Sequence, residues 1–174
     1  MLDKKKGSCY FVKKNYHKTL QVIAISYLIL LIGSHWFLLP VTPSEVNLIP
    51  LKSIYQHLFL THEPMLVWRS FIWFVPLGIY LLALPSVPDF TRSIKIVGII
   101  SLLVQLGQFI WQQGYVNIDD FLLNLLGGVV GFTIYTGIWN YNSSREKAKK
   151  IITLLSLFVG LPTLFMFITY YLTK

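Results

Sequence analysis

The chain has 174 residues, of which 55% are hydrophobic and 13% are charged, and its mean hydropathy is +0.61. Its apolar residues fall in long runs that a water-soluble core of this size has no room to bury, so an ordinary soluble domain is excluded. The net charge of +8 is carried by clusters of lysine and arginine beside those runs, which is typical of helix ends at a lipid surface and argues against a nucleic-acid partner.

A basic tail, residues 1–18, precedes five apolar segments. The segments lie at about 19–39, 70–84, 96–112, 118–138 and 151–172. Each is predicted to cross the bilayer as an α-helix, so residues 19–174 are expected to form one domain, an all-α, polytopic integral membrane helix bundle. The first segment is longer than the apolar part of a secretory signal, so we expect it to be retained as a transmembrane helix.

The stretch between the first and second segments is too polar to span a membrane. Within it Leu51, Tyr55 and Phe59 recur at helical spacing, with polar residues on the opposite face, and Pro50 suits the first turn of a helix. We therefore predict a short helix over about 51–60 that lies in the membrane interface.

The positions of lysine and arginine predict the orientation of the bundle. If the N-terminus lies in the cytoplasm, twelve of the fifteen basic residues lie on that side, and only Lys52, Arg69 and Lys174 lie outside. Because the loops are short, the positive-inside rule applies and predicts an N-in/C-out topology. The turn around Gly114 is then expected to face outward.

The third and fourth segments each carry one stripe of polar or small residues. Its members are spaced by four, three and four residues and so share one helix face. They are Ser101, Gln105, Gln108 and Gln112 on the third segment, and Asp120, Asn124, Gly127 and Gly131 on the fourth. We expect the stripes to face each other, because a carboxamide in hydrocarbon lacks partners and paired glycines permit close backbone approach. For Gln105, hydrogen bonding between helices is the alternative to a ligand-binding role.

The third helix runs outward and the fourth runs inward from the same turn, so their polar residues gather near the outer surface, where Arg69 also lies. The predicted ligand-binding residues are Arg69, Gln105, Gln108, Gln112, Asn117, Asp119, Asp120 and Asn124. For Asp119 the alternative is N-capping of its own helix, since carboxylates accept hydrogen bonds from the first free N–H groups. Asp120 is in register with Asn124, and ionisable residues inside a membrane usually serve function.

No constellation of residues identifies a cofactor or a catalytic centre. The spacing of His57, His62 and Glu63 matches no familiar metal-ligand motif, and the chain has no glycine loop of the kind that cradles a phosphate. Paired carboxylates can act as acid and base, but no convincing nucleophile–base pair accompanies them. We therefore expect no metal and no cofactor, and the sequence favours a protein that is not an enzyme.

Four short motifs occur in a distinctive order from residue 47 onward. They are Asn47-Leu48-Ile49-Pro50, then Phe74-Val75-Pro76-Leu77-Gly78, then Gln108-Phe109, and then the segment from Asn117 to Gly128. In this order and spacing they resemble the VanZ-like family of small bacterial membrane proteins. The resemblance implies a multi-pass protein of the plasma membrane in a Gram-positive cell envelope, with a role in lowering susceptibility to teicoplanin and related lipoglycopeptides.

The chain departs from the pattern of this family at four places. Family members usually carry Asn where this chain has Ser70 or Phe71, often Glu where it has Gln105, Arg near its Gly114, and Asp where it has Asn117. If those charged residues perform chemistry in the family, this chain has lost it.

The leading hypothesis is a membrane protein without catalytic activity whose outward-facing polar site engages a lipoglycopeptide antibiotic or an envelope lipid precursor. One alternative is an enzyme that modifies an envelope lipid, based on the two carboxylates of Asp119 and Asp120. The other is a scaffold for a second membrane protein, based on the glycine stripe.

Overall fold

A computed structural model of the protein describes residues 3–37, 46–84, 89–111 and 116–172, and among them the side chains of residues 16–35, 46–84, 89–111, 116–160 and 169. The described part contains six α-helices, which are α1 (Asp3–Phe37), α2 (Lys52–Tyr55), α3 (Pro64–Ala83), α4 (Phe90–Ile110), α5 (Ile118–Asn142) and α6 (Arg145–Leu172). A π-helical turn, Gln56–Leu60, continues α2, and strand β1 (Val46–Asn47) pairs in parallel with strand β2 (Val116–Asn117). The predicted all-α class is confirmed, with this two-residue β-pair as its one addition in the described residues.

Four helices contain a segment that is long and apolar enough to cross a bilayer. These segments are Tyr16–His35, Pro64–Ala83, Phe90–Ile110 and Ile118–Asn142. They correspond to the first four predicted spans, and they give the described residues the character of a membrane helix bundle. The fifth predicted span falls in α6, where the side chains of residues 161–168 lie outside the described part, so its crossing of the membrane stays a prediction.

The start of α3 differs from the span predicted at 70–84. The helix begins at Pro64, which suits a first turn because the N–H that proline lacks would have no partner within the helix. Arg69 therefore lies in the second turn of the helix and not at its entrance. A charged side chain inside a predominantly apolar helix requires a polar neighbour, and α5 supplies it.

The chain forms two compact units, Ser26–Thr136 and the combination of Met1–Ile25 with Gly137–Lys174. In the second of these units the Lys150 Nζ lies 5.6 Å from the centre of the Tyr16 ring. Leu20 and Ala148 are fully buried there. A cation–π contact and apolar burial thus join the first half of α1 to the start of α6.

Within Ser26–Thr136, α3 and α5 run in the same direction with their backbones in contact. A Cβ added to Gly127 would overlap the carbonyl oxygen of Phe71, and one added to Gly131 would overlap that of Val75. From the first contact to the second, the position moves forward by four residues on both α3 and α5, so the two helices are parallel. The stripe of small residues therefore serves close packing inside the chain, as such stripes do between membrane helices.

α4 packs on the same part of α5 in the opposite direction. The Val97 side chain lies so close to Gly128 that an added Cβ would be 2.9 Å from its Cγ1. One turn further along α4, the Asn124 Nδ2 donates a hydrogen bond to the Ser101 Oγ at 2.8 Å. The two stripes therefore face each other at this level, as the sequence predicts.

The Asp119 carboxylate fastens α2 to the start of α5. Its Oδ1 accepts a hydrogen bond from the Leu51 N–H at 2.6 Å, and its Oδ2 accepts from the N–H groups of Ser53 and Ile54 at 2.9 and 3.3 Å. Leu51 has a left-handed backbone with φ 65°, a conformation that costs a residue with a side chain roughly 1–2 kcal/mol. The charge-assisted hydrogen bonds offset that strain and hold the turn in place.

Asn117 takes the capping position at the start of α5. Its Oδ1 accepts a hydrogen bond from the Asp119 N–H at 3.1 Å and lies 3.4 Å from the Nδ2 of Asn47, its partner residue in the β-pair. The alternative of Asp119 as the cap of its own helix is therefore wrong. The carboxylate caps a different helix, because Asn117 already serves the first N–H groups of α5.

The glycine contacts predict that the effect of a glycine-to-alanine substitution on the free energy of unfolding depends strongly on its position. We expect Gly131→Ala to lower the free energy of unfolding by about 1–3 kcal/mol, because the new Cβ meets backbone atoms that cannot move aside. Gly98 is the matched control, since its Cβ would make ordinary contacts with two side chains, with the Leu125 Cδ2 at 3.7 Å and the Phe121 Cζ at 4.0 Å. Thermal unfolding in detergent should leave Gly98→Ala at or above the wild-type midpoint, and a wild-type midpoint for Gly131→Ala would refute the contact.

The capping contact of Asp119 predicts that its removal opens the turn at residues 51–54. Asp119→Ala removes the acceptor from three backbone N–H groups, each worth about 1–3 kcal/mol when left unpaired, so the amides of 51–54 should exchange with deuterium faster. Asp89→Ala is the control, because Asp89 caps its own helix by accepting from the Arg92 N–H at 3.0 Å. Equal exchange at 51–54 in both variants would argue against the contact.

Candidate functional site

Asp120 occupies the centre of a polar cluster between membrane-spanning helices. Its Oδ1 accepts a hydrogen bond from the Ser70 Oγ of α3 at 2.9 Å. The charges of Arg69, from the same turn of α3, and of His57, from the π-helical turn, also act on this carboxylate. Asp120 is half-buried, whereas its neighbour Asp119 is only 1% exposed.

Arg69 interacts electrostatically with Asp120 and retains a donor without a partner. Burial desolvates the Arg69 guanidinium, and the attraction of the Asp120 charge offsets part of that cost. The Arg69 Nε is buried and has no hydrogen-bond partner among the described residues. Sequence analysis placed Arg69 on the same side as the aspartates, and it is Asp120 whose charge it meets.

Two carboxamides of the facing stripes are also incompletely paired. Gln105 is 4% exposed and Asn124 is 3% exposed. Within the described part of the chain, the Gln105 Nε2 and the Asn124 Oδ1 are buried without a hydrogen-bond partner, although the Asn124 Nδ2 bonds Ser101. One donor and one acceptor thus remain unmet where hydrocarbon cannot supply them.

The antiparallel register brings these groups to one level of the bundle. Asn124 pairs with Ser101. Because the helices are antiparallel, four residues forward on α4 lead to Gln105 and four residues back on α5 lead to Asp120, each about 6 Å further along its helix. Both turns carry the polar stripe on the face that the Ser101–Asn124 bond occupies. We call Arg69, Ser70, Gln105, Asp120 and Asn124 the Asp120 cluster.

The remaining predicted site residues lie at the edge of this cluster or beyond it. Gln108 is buried, and one further step of the same register brings it level with Asn117. The side chains of Asn117 and Asp119 accept hydrogen bonds from backbone N–H groups at the starts of α5 and α2, respectively, so both residues have structural roles. Gln112, like the turn around Gly114, lies outside the described residues.

The predicted set of ligand-binding residues left out three polar partners. Ser70 donates a hydrogen bond to Asp120, Ser101 accepts one from Asn124, and His57 interacts electrostatically with Asp120. Ser101 was visible in its stripe, but a serine in an apolar helix gives no signal of its own because it can bond its own backbone. Ser70 stands at a position where this chain departs from the family pattern, and it still presents a hydrogen-bond donor to Asp120.

These contacts narrow the chemistry that the cluster can perform. Asp119 uses both oxygens to accept backbone N–H groups, so it does not form an acid–base pair with Asp120. Gly127 and Gly131 contact α3 of the same chain, so they no longer motivate a scaffold for a second protein. The cluster therefore contains one carboxylate that interacts electrostatically with Arg69, together with two unpaired donors and an unpaired acceptor.

Comparison with known proteins places this site within a recognised family. The family model described as VanZ/LLP1 matches residues 24–140, which include the whole of the unit Ser26–Thr136. Protein VanZ from Enterococcus faecium is 29% identical over 99 residues, which cover 57% of this chain and 58% of that protein, so the chain matches somewhat more than half the length of this relative. No solved structure matches the chain. Because the family model covers well over half of the chain and every residue of the Asp120 cluster, the protein belongs to the VanZ/LLP1 family.

Proposed function

We propose that this protein lowers the susceptibility of a bacterium to teicoplanin and related lipoglycopeptides by engaging an amphiphilic ligand at the Asp120 cluster. Membership of the family supports the proposal, since resemblance to VanZ-like proteins implies this role. A lipoglycopeptide carries both a polar body and a lipid tail, and a polar cluster among apolar helices fits such a molecule. No covalent step is part of the proposed action.

The observation that carries the proposal is the unpaired state of the cluster. A buried polar group without a partner costs about 1–3 kcal/mol, and more in hydrocarbon, so structural glue is expected to be fully paired. Gln105, Asn124 and Arg69 each keep an unpaired polar atom. Unmet donors and acceptors around an intramembrane carboxylate are typical of a binding site.

The proposal includes five transmembrane spans in the plasma membrane with the N-terminus inside, so that the Asp120 cluster lies near the outer face. Four apolar helices return residue 143 to the side on which the chain starts, and the contact of Lys150 with Tyr16 agrees with that return. The distribution of lysine and arginine favours the cytoplasm for this side. A lipid-tailed drug would then meet the cluster on arrival from outside.

A second candidate function is modification of an envelope lipid. The hydrogen bond from the Ser70 hydroxyl to Asp120 favours it, because a carboxylate can activate an adjacent hydroxyl as a nucleophile. Under this alternative, overexpression changes the envelope lipid profile and Ser70→Ala abolishes the change. An unchanged profile leaves ligand binding as the better reading.

Loss of the central polar groups should reduce antibiotic protection. We expect Asp120→Ala and Asn124→Ala, expressed in a susceptible Gram-positive host, to weaken ligand binding on the order of tenfold, as loss of a charged or buried hydrogen-bond partner does. The measurement is the inhibitory concentration of teicoplanin, with vancomycin alongside to test dependence on the lipid tail. Asp89→Ala serves as the control because Asp89 is exposed at the start of α4, outside the cluster. Inhibitory concentrations that match those of the wild type at equal protein levels would remove the cluster from the proposal.

The proposed topology is tested by reporter fusions. Alkaline phosphatase is active only outside the cytoplasm, so fusions at Gly114 and after Lys174 should be active and a fusion after Ser144 inactive. Activity at Gly114 without activity after Lys174 would establish four spans instead of five. An inactive fusion at Gly114 would reverse the orientation and place the cluster on the cytoplasmic side.

A further inference from the structure

The Asp120 cluster combines opposite charges with unmet hydrogen bonds of both kinds. Arg69 and Asp120 interact electrostatically, so a neutral ligand leaves that interaction in place. The unpaired donors are the Arg69 Nε and the Gln105 Nε2, and the unpaired acceptor is the Asn124 Oδ1. One oxygen of Asp120 is bonded to Ser70, which leaves the other as a further acceptor.

The mixture of donors and acceptors discriminates between classes of polar group. A phosphate only accepts hydrogen bonds, so it would leave the Asn124 Oδ1 unpaired and bring a second negative charge beside Asp120. An ammonium only donates, so it would leave the Gln105 Nε2 and the Arg69 Nε unpaired. A hydroxyl group donates one hydrogen bond and accepts others, and a pair of neighbouring hydroxyls satisfies both kinds of group together.

The surroundings of Gln105 suit a ligand with apolar chains. Leu102 and Leu106, which flank it on α4, are 50% and 52% exposed, so the helix presents an apolar surface next to the buried carboxamide. Acyl chains can lie along this surface within the bilayer while a polar head reaches the cluster. α4 therefore presents an exposed apolar face next to a buried polar one, and these two faces suit the two parts of an amphiphile.

From these observations we infer that the Asp120 cluster binds the hydroxyl-bearing head of a membrane amphiphile, a glycosyl or glycerol group, with its acyl chains against Leu102 and Leu106. The inference rests on the proposed function, since it names the chemistry that the same site recognises. Such a head can belong to a membrane lipid or to the sugar of a lipoglycopeptide. The shared feature is a set of neighbouring hydroxyls next to an acyl chain.

The test uses the full chain purified in lauryldimethylamine oxide, a detergent that carries no hydroxyl group. Binding of diglucosyl diacylglycerol, phosphatidylglycerol and phosphatidylcholine with identical acyl chains is measured by native mass spectrometry. Phosphatidylcholine has no free hydroxyl, so we expect the other two lipids to bind on the order of tenfold more tightly. Equal binding of all three lipids would overturn the inference.

Variants of Gln105 connect the preference to the cluster. Gln105→Leu and Gln105→Met keep the volume of the side chain and remove its amide, so both should lose the tenfold preference. Neither should unfold at a lower temperature than the wild type without lipid, because replacing an unpaired buried donor with an apolar group removes a penalty. Thr136→Val is the control, since that hydroxyl bonds the Phe132 carbonyl at the opposite end of α5. A preference that survives in both Gln105 variants would contradict the assignment.

Competition then identifies the source of the hydroxyls. Displacement of bound glycolipid by teicoplanin assigns the head to the drug, and persistence of the glycolipid assigns it to the membrane; both outcomes support the inferred chemistry. The susceptibility assay of Asp120→Ala is independent of these measurements. Lost protection together with equal lipid binding would overturn this inference alone, whereas a hydroxyl preference together with unchanged protection would overturn the proposed function alone.

Discussion

The backbone contact between α3 and α5 determines how Arg69 and Ser70 lie against Asp120. Gly127 and Gly131 allow the carbonyl groups of Phe71 and Val75 to approach α5 directly. This contact fixes the register of two parallel helices, and the register brings Ser70 to the Asp120 carboxylate. A larger residue at either glycine would separate the helices and withdraw the partners of a charge that hydrocarbon cannot solvate.

The two neighbouring aspartates make different contacts in this arrangement. Consecutive residues on a helix point about 100° apart, so Asp119 faces the turn that starts α2 while Asp120 faces α3. Asp119 meets three backbone N–H groups and is fully committed to structure. Asp120 accepts one hydrogen bond, from the Ser70 hydroxyl, and interacts electrostatically with Arg69, His57 and Asp119. Two carboxylates adjacent in the sequence thus include one structural group and one group to which we assign the proposed binding role.

Much of this arrangement follows from sequence periodicity. The spacing of polar residues on the third and fourth spans predicts that they face each other, and the bond between Ser101 and Asn124 confirms it, because a period of three or four residues fixes which side chains share a face. Helix starts are harder to predict. Arg69 is a polar residue for the interior of a span, and the Asp120 that attracts it lies on another helix, far away in the sequence.

The partner of Asp119 could not have been predicted from local sequence at all. A carboxylate in the first turn of a helix usually serves that helix, and nothing in the sequence around it indicates the free N–H groups of Leu51 and Ser53. The contact adjoins the pairing of β1 with β2, in which each strand has two residues. Such short strands have no periodicity from which to predict them.

The unpaired groups of the Asp120 cluster lie between closely packed helices. Backbone contacts at the glycines and the Val97 contact at Gly128 pack α3, α4 and α5 closely together, and the Gln105 Nε2 and the Asn124 Oδ1 stay unpaired within that packing. In the proposed function a ligand supplies the missing partners, and the free energy of binding is then largest for the ligand whose hydrogen-bonding groups match them.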